Sequence, residues 1–183
     1  MELNILDWFQ TLHTPILDKI MTSITKLGDA GIFWIILTLL FLIIPKMRKT
    51  GIIMAAALIM DLLICNIAVK NLAARTRPYD VNTSAQLLVA KLHDYSFPSG
   101  HTAASFASVT ALYLAGEKKL WKPALILSCL IAVSRLYLYV HYPTDVLGGM
   151  FFGILAGYVG YRLVKFLEAK LSGRKNAGKQ IRR

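Results

Sequence analysis

The stretch SRLYLYVHYPTDVLGGMFFGILAGYVGY, residues 134–161, places an arginine, a histidine and an aspartate directly before a long apolar run. The proline after the histidine suits the first turn of a helix, so we expect a membrane helix over residues 143–168. Charged groups beside the hydrocarbon core of a membrane are unfavourable and usually mark a functional site. The alternative for Arg135, His141 and Asp145 is an interfacial anchor and a helix cap.

The position of each of these three residues indicates what its side chain can do. Asp145 falls in the first turn of the predicted helix, where the helix dipole favours an anion. An aspartate close to His141 can accept its Nδ1–H, which fixes the tautomer and leaves Nε2 free as a nucleophile. Arg135 lies about one and a half turns upstream, and its planar guanidinium is suited to binding a phosphate.

Two further stretches carry cations and a second histidine at fixed spacing: KNLAARTRP, residues 70–78, and FPSGH, residues 97–101. The three stretches read Lys, six residues, Arg-Pro; then Pro-Ser-Gly-His; then Ser-Arg, five residues, His, three residues, Asp. This pattern resembles that of the type 2 phosphatidic acid phosphatase superfamily of membrane lipid phosphatases, and it matches without a departure. The resemblance extends from about residue 30 to residue 168.

Phosphoryl transfer depends mostly on positioning and charge stabilisation. Lys70, Arg77 and Arg135 supply three cations for this purpose. Gly100 lets the backbone approach a ligand closely, and the N–H groups of Ser99 and Gly100 at a helix start can hold an anion. The alternative for PSGH alone is an ordinary helix N-terminus with a capping serine. The residues expected to bind the phosphate are Lys70, Arg77, Ser99, Gly100 and Arg135.

The family resemblance also implies the catalytic roles. His141 would attack phosphorus and form a phosphohistidine. His101 would protonate the leaving alkoxide or phosphate and then activate water, while Asp145 would orient His141 and stabilise its charged form. No carboxylate or His/Cys cluster has metal-ligand spacing, so neither a metal nor another cofactor is expected.

Composition places the chain in the membrane. Its 183 residues are 56% hydrophobic, and the mean hydropathy is +0.53, well above that of a soluble domain. We therefore expect one membrane-embedded domain of the all-α class. The net charge of +11 could indicate nucleic acid binding, but no module that combines aromatic and basic residues is present. Cys65 and Cys129 lie in apolar runs and predict no disulfide.

Hydropathy predicts a polytopic helical bundle of about five spans, which would form a catalytic core over residues 28–168. The predicted spans are residues 28–44, 50–72, 98–116, 123–137 and 143–168. The spacing in residues 1–27 predicts two short amphipathic helices in the membrane interface, broken at His13-Thr14-Pro15; a lid over the substrate entrance is the alternative. Residues 73–97 form the longest polar connection, and residues 169–183 form a basic tail.

The basic residues sort to one side of this topology. Fourteen of the 21 Lys and Arg residues fall in one set of turns and the tail. They are Lys46, Arg48, Lys49, Lys118, Lys119, Lys122, Arg162, Lys165, Lys170, Arg174, Lys175, Lys179, Arg182 and Arg183. The positive-inside rule assigns this side to the cytoplasm. We therefore predict a multi-pass protein of the cell membrane with an extracytoplasmic active site and a cytoplasmic C-terminus.

Three polar residues have no place in the motifs. Asp61 lies within a predicted span, where an ionisable residue is a functional candidate by default. The favoured interpretation is a protonated or hydrogen-bonded residue that packs between helices. His93 is interpreted as a loop histidine and His13 as an interfacial polar residue.

The sequence thus favours a membrane lipid phosphatase that acts on a lipid phosphate or diphosphate, with undecaprenyl diphosphate preferred. Phosphatidylglycerophosphate and phosphatidic acid are the alternative substrates. A vanadate-dependent haloperoxidase is permitted by the resemblance, but those enzymes are soluble and larger. A non-enzymatic protein that binds or transports lipid head groups would need the cations but not both histidines. The sequence leaves the oligomeric state open.

Overall fold

The computed structural model describes the backbone of residues 1–180 and the side chains of residues 1–172. Residues 1–180 fold into helices and loops, with no strand among them, so the predicted all-α class is confirmed. The α-helices of this range are α1 (Glu2–Gln10), α2 (Pro15–Leu27), α3 (Ile32–Ile43), α4 (Arg48–Asp61), α5 (Lys70–Ala73), α6 (Pro78–Val81), α7 (Gly100–Ala115), α8 (Trp121–Tyr137) and α9 (Pro143–Gln180).

The first 27 residues form the two short helices that the sequence predicts. The break between α1 and α2 is fixed by Thr14, whose Oγ1 accepts the backbone N–H of Leu17 at 3.3 Å. Both helices pack an apolar face over the loop between α8 and α9, and Leu6 is fully buried there. Their outer face exposes large apolar residues, including Trp8 and Ile16, as an interfacial helix would. Their depth in the membrane stays a prediction.

The second predicted span is one continuous run of helix that changes type midway. Helix α4 passes into a π-helical segment, Leu62–Val69, which leads directly into α5. A π-helix has a wider turn than an α-helix and is frequent at functional sites. The segment connects Asp61 with Lys70, and both residues line the same groove.

Small residues hold α9 close to its neighbours. A side chain at Gly149 or Gly157 of α9 would meet the backbone oxygen of Ser99 or Ala107 at 2.6 and 2.7 Å. Close approach of this kind is typical of helices that associate within a membrane. It places the start of α7, which carries the PSGH residues, directly against the start of α9.

The two ends of the bundle differ in their side chains. At one end, Thr50 donates its hydroxyl hydrogen to Glu117 at 2.7 Å, and Lys49 pairs with Glu168 at 2.9 Å. The turns that meet there are those with the basic residues. The motif residues gather at the opposite end, so the structure separates the two sets as the charge pattern predicts, although it does not identify the cytoplasmic side.

Length and composition support fewer spans than five. Within the described residues, Pro45–Val81 and Pro143–Ser172 are long and apolar enough to cross a membrane. A third span results if the pair Pro15–Leu27 and Asp29–Ile43, bent by 43°, counts as one. Helices α7 and α8 have 16 and 17 residues, fewer than the roughly 20 that span a bilayer. The count of five therefore stays a prediction.

The predicted end of the last helix at residue 168 is wrong. Helix α9 continues to Gln180, through most of the segment predicted as a polar tail. That segment contains no proline, and its many Ala, Lys, Leu and Arg residues are good helix formers. The last part of the predicted tail, residues 181–183, lies outside the described residues.

Candidate active site

His141 lies in the loop between α8 and α9, with only 1% of its surface exposed. Its Nε2 is 3.3 Å from Nη1 of Arg77. A guanidinium can only donate, so Nε2 must be the acceptor and the ring proton must be on Nδ1. Burial, together with the charges of Arg135 and Arg77, lowers the pKa of His141 to about 3, against the opposing effect of Asp145. His141 is therefore a neutral base with its Nε2 lone pair available, as a nucleophile requires.

Asp145 lies behind His141, but its geometry differs from the prediction. The distance from His141 Nδ1 to Asp145 Oδ2 is 3.5 Å, and Nδ1 has no hydrogen-bond partner among the described residues. The carboxylate is already engaged: Oδ2 accepts the hydroxyl of Ser96 at 2.5 Å and the backbone N–H of Tyr142 at 2.9 Å. Asp145 is close enough to stabilise a charged His141 ring, yet in this state it does not hold the ring by a hydrogen bond.

The other oxygen of Asp145 binds Arg75, a residue that the motifs did not single out. Nη1 of Arg75 donates to Asp145 Oδ1 at 2.6 Å, and its Nη2 donates to Glu2 at 2.6 Å. The guanidinium also lies over the ring of Tyr142, 3.9 Å from its centroid. Burial lowers the pKa of Arg75, but its bond to Glu2 and the charge of Asp145 outweigh burial and raise it. Helix α1 is thereby connected to the carboxylate of the site.

His101, in the first turn of α7, pairs with Asp29 and lies next to Arg135. Its Nε2 is 2.8 Å from Asp29 Oδ1 and 3.3 Å from Arg135 Nη1. The shorter contact requires Nε2 to carry a proton that it donates to Asp29, because a carboxylate only accepts. Arg135 is 2% exposed, and its Nη1 donates to Thr25 at 2.6 Å. His101 therefore holds a proton at the edge of the site, with a buried cation behind it.

Lys70 and Arg77 meet at one carboxylate, that of Asp94. Lys70 Nζ and Arg77 Nη2 are each 2.5 Å from a different oxygen of Asp94. Burial raises the pKa of Asp94, but the bonds and charges of Lys70 and Arg77 outweigh burial and lower it to about 2. Asp94 is thus fully ionised at neutral pH and lies where two predicted phosphate-binding cations converge.

The PSGH residues lie partly in the groove and partly behind it. Gly100 lines the groove, and a side chain there would meet Asn66 Oδ1 at 2.9 Å. Ser99 does not offer its N–H to a ligand as predicted, because that N–H donates to the backbone oxygen of Asp145 at 3.0 Å. Nor is Ser99 a capping serine, since its side chain makes no cap hydrogen bond. The reason is burial: Ser99 is fully enclosed where α7 packs on α9.

A groove of about 1000 Å³ joins these residues to an apolar channel between helices. Its polar end includes Lys70, Arg77, Gly100, His101 and His141. The remainder is mostly aliphatic, from α3 and α4. The groove has the shape and polarity that suit a charged head group attached to a hydrocarbon chain.

Two of the isolated polar residues also line this groove. His93 lies in the loop next to Asp94, as its interpretation as a loop histidine requires. Asp61 is 3% exposed, and its Oδ1 has no hydrogen-bond partner within the described residues. The interpretation of Asp61 as a protonated or hydrogen-bonded residue that packs between helices stays a prediction.

The structure thus brings all eight predicted site residues to one end of the bundle but not all to the groove surface. Arg135, Ser99 and Asp145 lie behind the lining residues. Sequence reasoning assigned no role to four further residues that contact the site: Asp29, Arg75, Asp94 and Ser96. Among the described residues, no group of three or more His, Cys, Asp or Glu side chains could hold a metal ion.

Residues 50–168 match the PAP2 superfamily, and this range contains all three motifs and all eight predicted site residues. The chain belongs to the PAP2 superfamily. The resemblance that the motifs indicated is therefore confirmed, and with it the prediction of a hydrolase that acts on phosphate esters.

Individual relatives of this PAP2 chain are similar over most of its length. It is 30% identical over 147 residues to an undecaprenyl-diphosphatase of Sulfolobus acidocaldarius, covering 80% of this chain and 70% of that protein. The crystal structure of Aquifex aeolicus LpxE superposes with a TM-score of 0.76 at 27% identity, covering 88% of this chain and 94% of that one. A transmembrane PAP2-type phosphatidylglycerolphosphate phosphatase from Bacillus subtilis gives 0.68 at 28% identity, with 91% and 84% covered.

Proposed function

We propose that this PAP2 protein is a metal-independent lipid phosphatase that forms a phosphohistidine on His141. One observation carries the proposal: His141 and His101 line the same end of an apolar groove as Lys70 and Arg77. A nucleophile, a proton donor and two cations then face a single space that a phosphate could occupy.

The reaction follows from the protonation states. The lone pair of His141 Nε2 attacks phosphorus while the bond from phosphorus to the leaving oxygen breaks. His101, in its charged form with a proton on each ring nitrogen, gives its Nε2 proton to that oxygen, which departs as an alcohol or as phosphate, and keeps the proton on Nδ1. Water then attacks the phosphohistidine as His101 takes a proton from it, and His141 leaves with its lone pair restored. Arg77, which now donates to His141 Nε2, would turn that N–H toward the phosphate oxygens.

Undecaprenyl diphosphate is the favoured substrate. The lining of the groove beyond the polar end is aliphatic, which suits a polyprenyl chain. Similarity to the Sulfolobus acidocaldarius undecaprenyl-diphosphatase supports the same choice. Phosphatidylglycerophosphate is the alternative, supported by similarity to the Bacillus subtilis phosphatase, and phosphatidic acid shares its chemistry. The polar end of the groove lies at the end of the bundle that we assign to the extracytoplasmic side.

A protein that only binds or transports lipid head groups is the alternative from another class. Such a protein needs cations, but a buried neutral histidine next to the phosphate position would contribute little to binding. His141 is almost fully buried with its lone pair facing Arg77, an arrangement that favours catalysis.

Phosphate release from purified protein in detergent tests the proposal. We expect turnover of undecaprenyl diphosphate, phosphatidylglycerophosphate or phosphatidic acid, with the first preferred, and we expect the rate to survive EDTA. Lys70→Gln should lose most activity, whereas Lys91→Gln, whose side chain pairs with Asp80 outside the groove, should not. Binding of these lipids without release of phosphate would favour the transport alternative.

A further inference from the structure

Asp94 occupies the position where a phosphate would bind. Its two carboxylate oxygens contact Lys70 Nζ and Arg77 Nη2, both at 2.5 Å, as two oxygens of a phosphate would. Its backbone oxygen accepts from Arg77 Nε at 2.9 Å. The remaining guanidinium nitrogen donates to the backbone oxygen of Val140 at 2.8 Å and faces His141. Every nitrogen of Arg77 is therefore already engaged.

The contrast in exposure indicates which partner can move. The side chains of Lys70 and Arg77 are 9% and 3% exposed, whereas that of Asp94 is 52% exposed. Lys70 is part of a continuous helical run, and Arg77 is fixed by several backbone oxygens. Asp94 lies in a loop without regular secondary structure. The cations are built into the fold, and the carboxylate can leave them.

An internal carboxylate of this kind weakens the binding of every anion by the same factor. An incoming phosphate gains its contacts only in the fraction of molecules in which Asp94 has left, so its apparent affinity falls in proportion to that fraction. A terminal phosphate with two negative charges retains useful affinity after this loss. A phosphodiester with one negative charge, and with fewer free oxygens, does not.

We propose that Asp94 is an internal competitor for the phosphate position, and that it keeps the weakly bound phosphodiester head groups of bulk membrane lipids from occupying the site. Those head groups surround the groove at high local concentration, so that even weak binding would occupy it. Terminal phosphates bind strongly enough to displace Asp94, whereas phosphodiesters bind too weakly to displace it. This role rests on the proposed function, since it assigns Lys70 and Arg77 to the phosphate. Ionisation supports it, because with a pKa of about 2 Asp94 remains a competitor throughout the physiological range.

The affinity of the detergent-solubilised protein for inorganic phosphate, measured by calorimetry, tests this role. Asp94→Asn keeps the shape of the side chain and removes its charge, and Asp94→Ala removes the competing group altogether. We expect both variants to bind phosphate about ten-fold more tightly than the wild-type protein, which corresponds to displacement of Asp94 in roughly one molecule in ten at rest. Asp80→Asn is the matched control, because Asp80 lies near the same loop and, among the residues whose side chains the structure describes, forms an ion pair only with Lys91, at 3.4 Å. It should bind phosphate as the wild type does.

Phosphatidylglycerol, a phosphodiester lipid, provides the second arm. Added to the micelles, it should compete with phosphate in Asp94→Asn and leave the wild-type titration unchanged. Unchanged or weaker phosphate binding in both Asp94 variants would show that the carboxylate only supports the two cations, and would overturn the inference while leaving the phosphatase intact. Tight phosphate binding that survives Lys70→Gln would instead contradict the phosphate site itself, and both proposals with it.

Discussion

Arg75, to which the motif pattern assigns no role, binds the catalytic carboxylate of Asp145 through its charged side chain. Without it, Asp145 Oδ1 loses a bond of 2.6 Å, and the carboxylate interacts more strongly with His141. We expect Arg75→Gln to raise the pKa of His141 from about 3 towards its ordinary value, because a less compensated anion favours the charged ring. The acid limb of kcat/KM should move to higher pH, and kcat should fall about ten- to a hundred-fold through misplacement of the ring.

Arg75→Lys is the conservative comparison, since it keeps the charge and loses the two-pronged contact with Asp145 and Glu2. It should keep the acid limb close to that of the wild type while recovering only part of kcat. If Arg75→Gln instead lowers kcat with an unchanged pH profile, Arg75 has a structural role alone.

The catalytic roles of His101 and His141 can be distinguished with substrates that differ in their leaving group. An alkoxide needs a proton to depart, whereas a nitrophenolate needs it much less. His101→Ala should therefore lose far more rate on a lipid monophosphate than on an activated aryl phosphate, and His141→Ala should lose rate on both. The measurement is kcat/KM for each variant on both substrates. Equal losses for His101→Ala on the two substrates would remove its assignment as general acid.

The sequence predicts the cations and histidines of the site better than it predicts the carboxylates that pair with them. Motif spacing identified Lys70 and Arg77, because catalysis fixes the distances between such residues. Asp94 lies in the same long connection as Asp80, and no spacing distinguishes the two. Which carboxylate reaches the cations depends on the path of an irregular loop. The expected hydrogen bond between His141 and Asp145 likewise failed because Ser96 and Arg75 arrive from elsewhere in the chain.

At the scale of helices, the contact of α9 with α7 depends on the absence of side chains. A Cβ at Gly157 would lie 2.6 Å from Thr110 Cβ and 2.7 Å from the backbone oxygen of Ala107. We expect Gly157→Ala to lower the free energy of unfolding by about 1–3 kcal/mol, because the backbone cannot yield without separating the helices. Thermal unfolding in detergent measures the loss. Leu147→Ala, on the exposed face of the same helix, should change the unfolding temperature much less; equal effects would argue against close packing at Gly157.

Helix positions followed from hydropathy, but helix lengths and types did not. The predicted second span corresponds to α4, the π-helical segment and α5 in one run, and nothing in the apolar pattern of Leu62–Val69 indicates a wider turn. The predicted fourth span, residues 123–137, is close to α8 (Trp121–Tyr137), because the polar turn at residues 117–122 marks its start.

At the scale of the whole molecule, thiol labelling can determine on which side of the membrane the site lies. Thr83, in the long loop near the site, and Lys119, in the basic turn at the opposite end, are both exposed. In a background with Cys129→Ser, Thr83→Cys should react with an impermeant thiol reagent in intact cells, and Lys119→Cys should react only after lysis. The reverse pattern would place the site in the cytoplasm and contradict the charge argument.

The separation of basic turns from motif residues was predictable because it depends on charge and span order alone. The convergence of three distant stretches on one groove was expected only from the family resemblance, since the residues from 70 to 145 belong to separate helices. Physical reasoning from spacing could place each motif at a helix end. It could not give the angles at which those helices meet, which depend on the small residues along α9.

Detection of a phosphoenzyme on His141 tests the central claim most directly. Protein mixed with a lipid substrate radiolabelled in its terminal phosphate is quenched in alkali within milliseconds, because the phosphorus–nitrogen bond survives alkali and not acid. We predict transient label on the peptide that contains His141, formed at least as fast as phosphate is released, and no label or turnover in His141→Ala. Turnover by His141→Ala, or label that persists in that variant, would contradict the mechanism.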